Sequence, residues 1–183
     1  MKKSESPISQ LIPGNPGTSY IACLIFTLNT KYAANISNDE QLKIFCDGMN
    51  QSRKTFFAKT LNIISKEFKH DIKAYVSNNV LLRLAKEEAE DNTTTYEPLL
   101  ISRENILKLI AQYQYITIST DIYYFNNHSY HDYHFCCFFM DDNVLRVFEP
   151  SSGSVRTITR KDLDEIIDSV TKELKDSTLV FCL

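Results

Sequence analysis

The residues of this chain best suited to nucleophilic or proton-transfer chemistry at neutral pH are its cysteines and histidines. Three of the four histidines, His128, His131 and His134, stand in one segment, with Cys136 and Cys137 close behind. His134 opens an apolar run, HFCCFFM, and Glu149 closes the next one, VLRVFE, across a turn at Asp141-Asp142-Asn143. Such runs predict two antiparallel strands joined by a tight turn. The start of the first then lies beside the end of the second, where a carboxylate can orient an imidazole. A thiol nucleophile would complete the set, and Cys23, in or just past the first turn of a predicted helix, is the candidate. The positive end and free N–H groups of a helix stabilise a thiolate and supply donors to an oxyanion. Taken alone, Cys23 reads equally as a small buried hydrophobe.

Among the histidines, His134 is preferred as the base because it begins a strand, with His131 the fallback and His128 a loop residue. A zinc site is the competing use of this segment. Zinc needs ligands converging on one point; His134 and Cys136 share a strand face, but His131 precedes the strand and no second paired-ligand cluster follows. No metal and no cofactor is therefore expected.

These residues need elements to hold them. Residues 1–17 are polar and broken by Pro7, Pro13, Gly14, Pro16 and Gly17, which predicts an exposed arm ahead of a single domain over 18–183. Thr18 or Ser19 is placed to cap a helix over 19–33, with Ile21, Leu24, Ile25 and Leu28 at helical spacing. Further helices are predicted over 39–50, 52–68 and 79–90, with Asn38 and Asn78 as caps. Cys46 reads as structural and His70 as solvated. The segment 91–96, DNTTTY, reads as a loop, and Ser102 as the cap of another helix. From YITIST at 115–120 onwards strands dominate, until Thr159, with Asp162 three residues on, caps a last amphipathic helix. TLVFCL ends the chain as a buried strand, and Cys182 is given no chemistry. The fold class expected is α+β, a helical layer first and an antiparallel sheet after it.

A hydrophobic share of 43%, a charged share of 23% and a net charge of −3 suit a soluble globular domain and give no basic footprint for nucleic acid. No apolar run is long enough to cross a bilayer, and no Sec signal is visible at MKKSESPISQ. Five cysteines, two of them adjacent, do not form a disulfide framework, so free thiols in a reducing compartment are expected.

In GTSYIACLI, HFCCFF and VFEPSSG, in that order and around a helical middle, the chain resembles the papain-like cysteine peptidases. The likeness is greatest to their compact bacterial branches: the bacteriocin-leader peptidase-like group, and the effector proteases and glutamine deamidases injected into host cells. The resemblance implies a papain-like fold with Cys23 as nucleophile, His134 as base and Glu149 holding the imidazole tautomer. An upstream side-chain amide would complete the oxyanion hole; Gly17 stands where a glutamine is frequent, which leaves Asn15 or Gln10. Glu149 replaces the more usual Asp or Asn, and Ala22 and Leu24 flank the nucleophile in place of glycine or tryptophan.

The function expected is thiol-dependent cleavage of a peptide bond or deamidation of a glutamine in a protein, by a bacterial effector acting in the cytoplasm or in a host cytosol. The alternative is an inactive papain-like module that binds a protein through its cleft or through the tyrosine-rich segment 123–133.

Overall fold

The computed structural model describes residues 16–89 and 93–183. Among these, six α-helices accompany one mixed sheet of seven strands in the order β2-β1-β7-β3-β4-β5-β6. The elements are α1 (Pro16–Tyr32), α2 (Asn38–Gln51), α3 (Ala58–Phe68), β1 (Ile72–Val76), α4 (Asn79–Glu88), β2 (Thr94–Pro98), α5 (Arg103–Tyr113), β3 (Tyr115–Asp121), β4 (Tyr133–Asp141), β5 (Val144–Glu149), β6 (Ser154–Thr157), α6 (Arg160–Lys172) and β7 (Leu179–Cys182). The α+β class is as expected; the sheet is not wholly antiparallel or C-terminal. β1 and β2 pair in parallel across α4, and β7 returns between β1 and β3.

The sheet separates two apolar layers. On one side Tyr20 and Leu24 of α1, Ile44 of α2, Phe57 at the cap of α3 and Leu61 within it join one apolar cluster with Phe135, Cys137, Phe139 and Phe181 of the sheet. On the other, α5 and α6 bring Ile106, Ile110, Leu163 and Ile167 onto Ile116, Ile118, Cys136, Phe138 and Val147. The alternation of β4 is legible in this division: odd residues face α1, even residues face α5 and α6.

Several local signals act as expected. Asn78 accepts from the Val80 and Leu81 amides, Ser102 from the Asn105 amide, and Thr159 and Asp162 form a capping box. Ser37, not Asn38, caps α2, because Glu40 stands three residues on and closes a capping box with it. α3 begins only at Ala58; the six residues before it form a turn held by Glu88, which accepts from the amides of Arg53 (2.5 Å), Lys54 (3.1 Å) and Thr55 (2.8 Å). Burial pushes the Glu88 carboxyl up, but these hydrogen bonds overcome it and hold the group below its ordinary pKa. α2 and α3 approach closely at Gly48, where a Cβ would run into the Thr60 hydroxyl.

Three expectations are corrected. β1 lies in the interval between two predicted helices, within a stretch read as a helical layer, and the first residues of β2 lie where a loop was predicted, since cross-strand pairing outweighs local propensity in such short segments. Cys46 is exposed rather than structural. His70 is not simply solvated: its ring stacks on Tyr32 at 3.9 Å.

Candidate active site

β4 and β5 form the expected hairpin, turning through Asp142 and Asn143, both at positive φ (47° and 63°) as a two-residue turn matched to strand twist requires. His134 is the second residue of β4 and Glu149 the last of β5. The structure brings them together: His134 Nε2 lies 2.9 Å from Glu149 Oε1, with both side chains 2% exposed.

Glu149 is held from several directions. Its Oε1 also accepts from the Ser151 amide (2.7 Å) and hydroxyl (2.5 Å), and its Oε2 from the Ser152 amide (2.9 Å). Burial raises its pKa, but the hydrogen bonds from His134, Ser151 and Ser152 win and hold the carboxyl well below its ordinary range. An ionised carboxylate only accepts, so Nε2 carries the proton in this contact, and in the neutral tautomer it selects Nδ1 holds the lone pair. No hydrogen bond joins Nδ1 to a described residue.

Cys23 does not join this pair. α1 begins at Pro16, three residues earlier than the sequence suggests, a position that suits proline because a first-turn N–H has no helical partner. Cys23 therefore lies seven residues past the helix start, about two turns, and its amide is inside the ladder rather than among the free donors. Its side chain is fully buried, and its thiol donates to the Phe135 carbonyl oxygen at 3.6 Å. Burial pushes the thiol well above its ordinary pKa, and Cys137, Cys136 and Glu149 push it the same way. Phe135, Cys137 and Phe139 belong to the α1 side of the sheet, whereas His134 alternates with them and falls with Cys136 and Phe138 on the other side. The Cys23 sulfur and the His134 ring are thus on opposite faces of β4.

α1 runs alongside β4 in step with it. Thr27 Oγ1 meets Cys137 Sγ at 3.5 Å, and one turn earlier Cys23 meets Phe135. One further turn back on that helix face is Ser19, fully buried. The suggested oxyanion-hole residues, Asn15 and Gln10, lie outside the described residues.

A second histidine–carboxylate pair stands at the same end of the sheet. Asp121, the last residue of β3, pairs with Tyr133, and Thr120 pairs with His134. His131 Nδ1 lies 2.6 Å from Asp121 Oδ2; the Asp121 side chain is fully buried and that of His131 is 43% exposed. Asp121 Oδ1 accepts from the amides of Tyr123 (3.0 Å) and Asp132 (3.2 Å), and the His131 ring stacks on Tyr123 at 4.1 Å and 6°. Sequence reasoning did not single out Asp121; the signal was a lone acidic residue closing the β-branched run YITIST. His128 projects from the same connection and meets Tyr123 edge-on at 4.7 Å.

All five cysteines are free thiols, and among the described residues no group of three or more His, Cys, Asp and Glu side chains is arranged to hold a metal ion. No protein-family model, curated protein or solved structure matches this chain.

Proposed function

We propose that this chain performs acyl chemistry of the papain-like kind on a protein side chain or peptide bond, with His134 as proton carrier and Glu149 as its orienter. The observation that supports this is the buried 2.9 Å contact between His134 Nε2 and a Glu149 carboxylate anchored by Ser151 and Ser152. A buried pair of this kind rarely adds net stability over apolar side chains, and oriented imidazoles are what proton transfer at neutral pH requires.

In the step itself the nucleophile gives its proton to His134 Nδ1 as its lone pair attacks the carbonyl carbon, and the C=O π pair moves to oxygen. On collapse the C–N or C–O bond breaks and the leaving group takes the proton back from Nδ1.

The nucleophile in this reading is Cys23, which serves only if α1 and β4 shift so that the thiol leaves the Phe135 carbonyl and reaches the side of β4 that carries the His134 ring.

Candidate protein substrates incubated with the wild type and read by intact-mass spectrometry separate chain cleavage from deamidation, which adds about 1 Da. His134→Gln should reduce turnover by about 100-fold or more, and Cys23→Ala by as much. Wild-type turnover by His134→Gln overturns the proposal.

The burial of Cys23 favours a second reading, a papain-like module without turnover that binds a protein partner. Alkylation of Cys23 as a function of pH discriminates: an activated thiolate reacts well below the ordinary thiol pKa, and a core thiol reacts only on unfolding.

A further inference from the structure

The apolar layer under α5 and α6 stays open beside the turn between β4 and β5. A groove of about 300 Å³ lies there between α5, that turn and the start of α6. Its apolar wall is Leu107, Met140, Val144, Leu145 and Ile158, and its polar groups are the Asn143 side chain and the Arg160 guanidinium. Val144 is 38% exposed, so part of this wall meets water.

Arg160 stands in an unfavourable place. It is the first residue of α6, where the positive end of the helix disfavours a cation. Among the described residues it makes no hydrogen bond or ion pair that would offset this. Its charged neighbours in the turn and in α6 are matched with other groups: Asp141 pairs with Arg146 (3.0 Å), Lys161 with Glu165 (3.6 Å), and Asp162 accepts from the Thr159 amide (2.7 Å) and hydroxyl (2.8 Å). An unmatched guanidinium beside an apolar wall suits a ligand made of one negative charge and one chain.

We propose that this groove binds a linear alkyl carboxylate, with the chain on Met140, Val144 and Ile158 and the carboxylate on Arg160. The fork of the guanidinium matches the two carboxylate oxygens, and an anion also relieves the helix end that Arg160 opposes. The volume is at the lower end for small-molecule sites, about 300–1,000 Å³, and suits one short chain rather than the face of a partner helix. Met140 is unbranched and adapts to such a chain. Asp142, next to Asn143, and Asp162, two residues past Arg160, disfavour a dianion such as a phosphate monoester. The site is independent of the acyl chemistry proposed above, since β4 carries His134 near one end and Met140 near the other.

The test titrates the full chain with sodium octanoate, read by calorimetry and by ¹H–¹³C methyl correlation. Saturable binding is expected, with shifts concentrated at Leu107, Met140, Val144, Leu145 and Ile158. Each buried methylene should tighten binding about fourfold, so butyrate should bind far more weakly than octanoate. Octan-1-ol, which lacks the charge, should bind the wild type about tenfold more weakly than octanoate, and Arg160→Gln should remove that preference. Arg160 is exposed, and a thermal melt checks that its variant is folded. The proposal is overturned by equal octanoate affinity in the wild type and Arg160→Gln, by no saturation below about 10 mM, or by shifts scattered outside the groove. Sedimentation velocity of the unliganded protein adds one more such outcome: a dimer that Val144→Glu dissolves would mean that a second copy covers the groove.

Discussion

The two histidine–carboxylate pairs at one sheet end differ in which partner is buried. In the first, histidine and carboxylate are both sealed in the protein, and Ser151 and Ser152 hold Glu149 through three further hydrogen bonds to its carboxylate. In the second, Asp121 is sealed but His131 meets water. The first pair is a fixed internal element whose removal leaves uncompensated polar groups in the core. The second presents an imidazole to solvent from a buried carboxylate and a stacked tyrosine ring. Burial thus separates what each can reach: solvent meets the His131 ring and is kept from the His134 ring.

The largest expected contrast is in stability. Glu149→Ala breaks a buried pair and should cost about 3–5 kcal/mol in urea unfolding, whereas His131→Ala should cost under about 1 kcal/mol. Equal losses would erase the distinction between the pairs.

Acid separates them next. The Glu149 pKa is depressed in the folded state, so its contribution is fully present above the ordinary glutamate value and is lost as pH falls through the folded value. The stability gap between the wild type and Glu149→Gln should be widest near neutral pH and narrow below about pH 4, in unfolding curves collected across that range.

Chemical access gives a third contrast. Diethyl pyrocarbonate should modify His131 and the exposed His128 before His134, and iodoacetamide should reach Cys46 while Cys23, Cys136, Cys137 and Cys182 stay protected until unfolding; peptide mapping reads both. The smallest effect is expected at Tyr123→Leu, which removes the ring stacked on His131 and should cost about 0.5–1.5 kcal/mol in thermal unfolding.

The hairpin and its pair were legible in the sequence because each part has a local cause. A polar turn at Asp141-Asp142-Asn143 fixes the register, and the register sets His134 and Glu149 at neighbouring strand ends. The caps of α4, α5 and α6 were legible for the same reason. What could not be read depends on distant partners. The strand IKAYV carries no signal of its own beside longer helical patterns, and its parallel pairing with β2 exists only once α4 bridges them. The insertion of β7 between β1 and β3 is likewise a property of the assembled sheet.

The placement of Cys23 shows how a small boundary shift alters chemistry. Starting α1 at Pro16 instead of Ser19 moves Cys23 by nearly a turn, from the donor-rich end of the helix to its hydrogen-bonded interior. The alternation of β4 then sets the His134 ring on the far face, a relation that appears only when the side of the sheet covered by α1 is known. Asp121 was missed for a comparable reason: a carboxylate at a strand end is ordinary until a histidine ten residues later folds back onto it.

That Glu149 fixes the His134 tautomer with its proton on Nε2 is tested most directly by long-range ¹H–¹⁵N correlation of the imidazoles in the wild-type protein across a pH series that reaches the neutral ring. In the neutral form of the ring the expected result is a protonated Nε2 and a pyridine-like Nδ1 for His134, with that signature lost in Glu149→Gln. A proton on Nδ1 of the neutral ring, or a signature unchanged by Glu149→Gln, would contradict it.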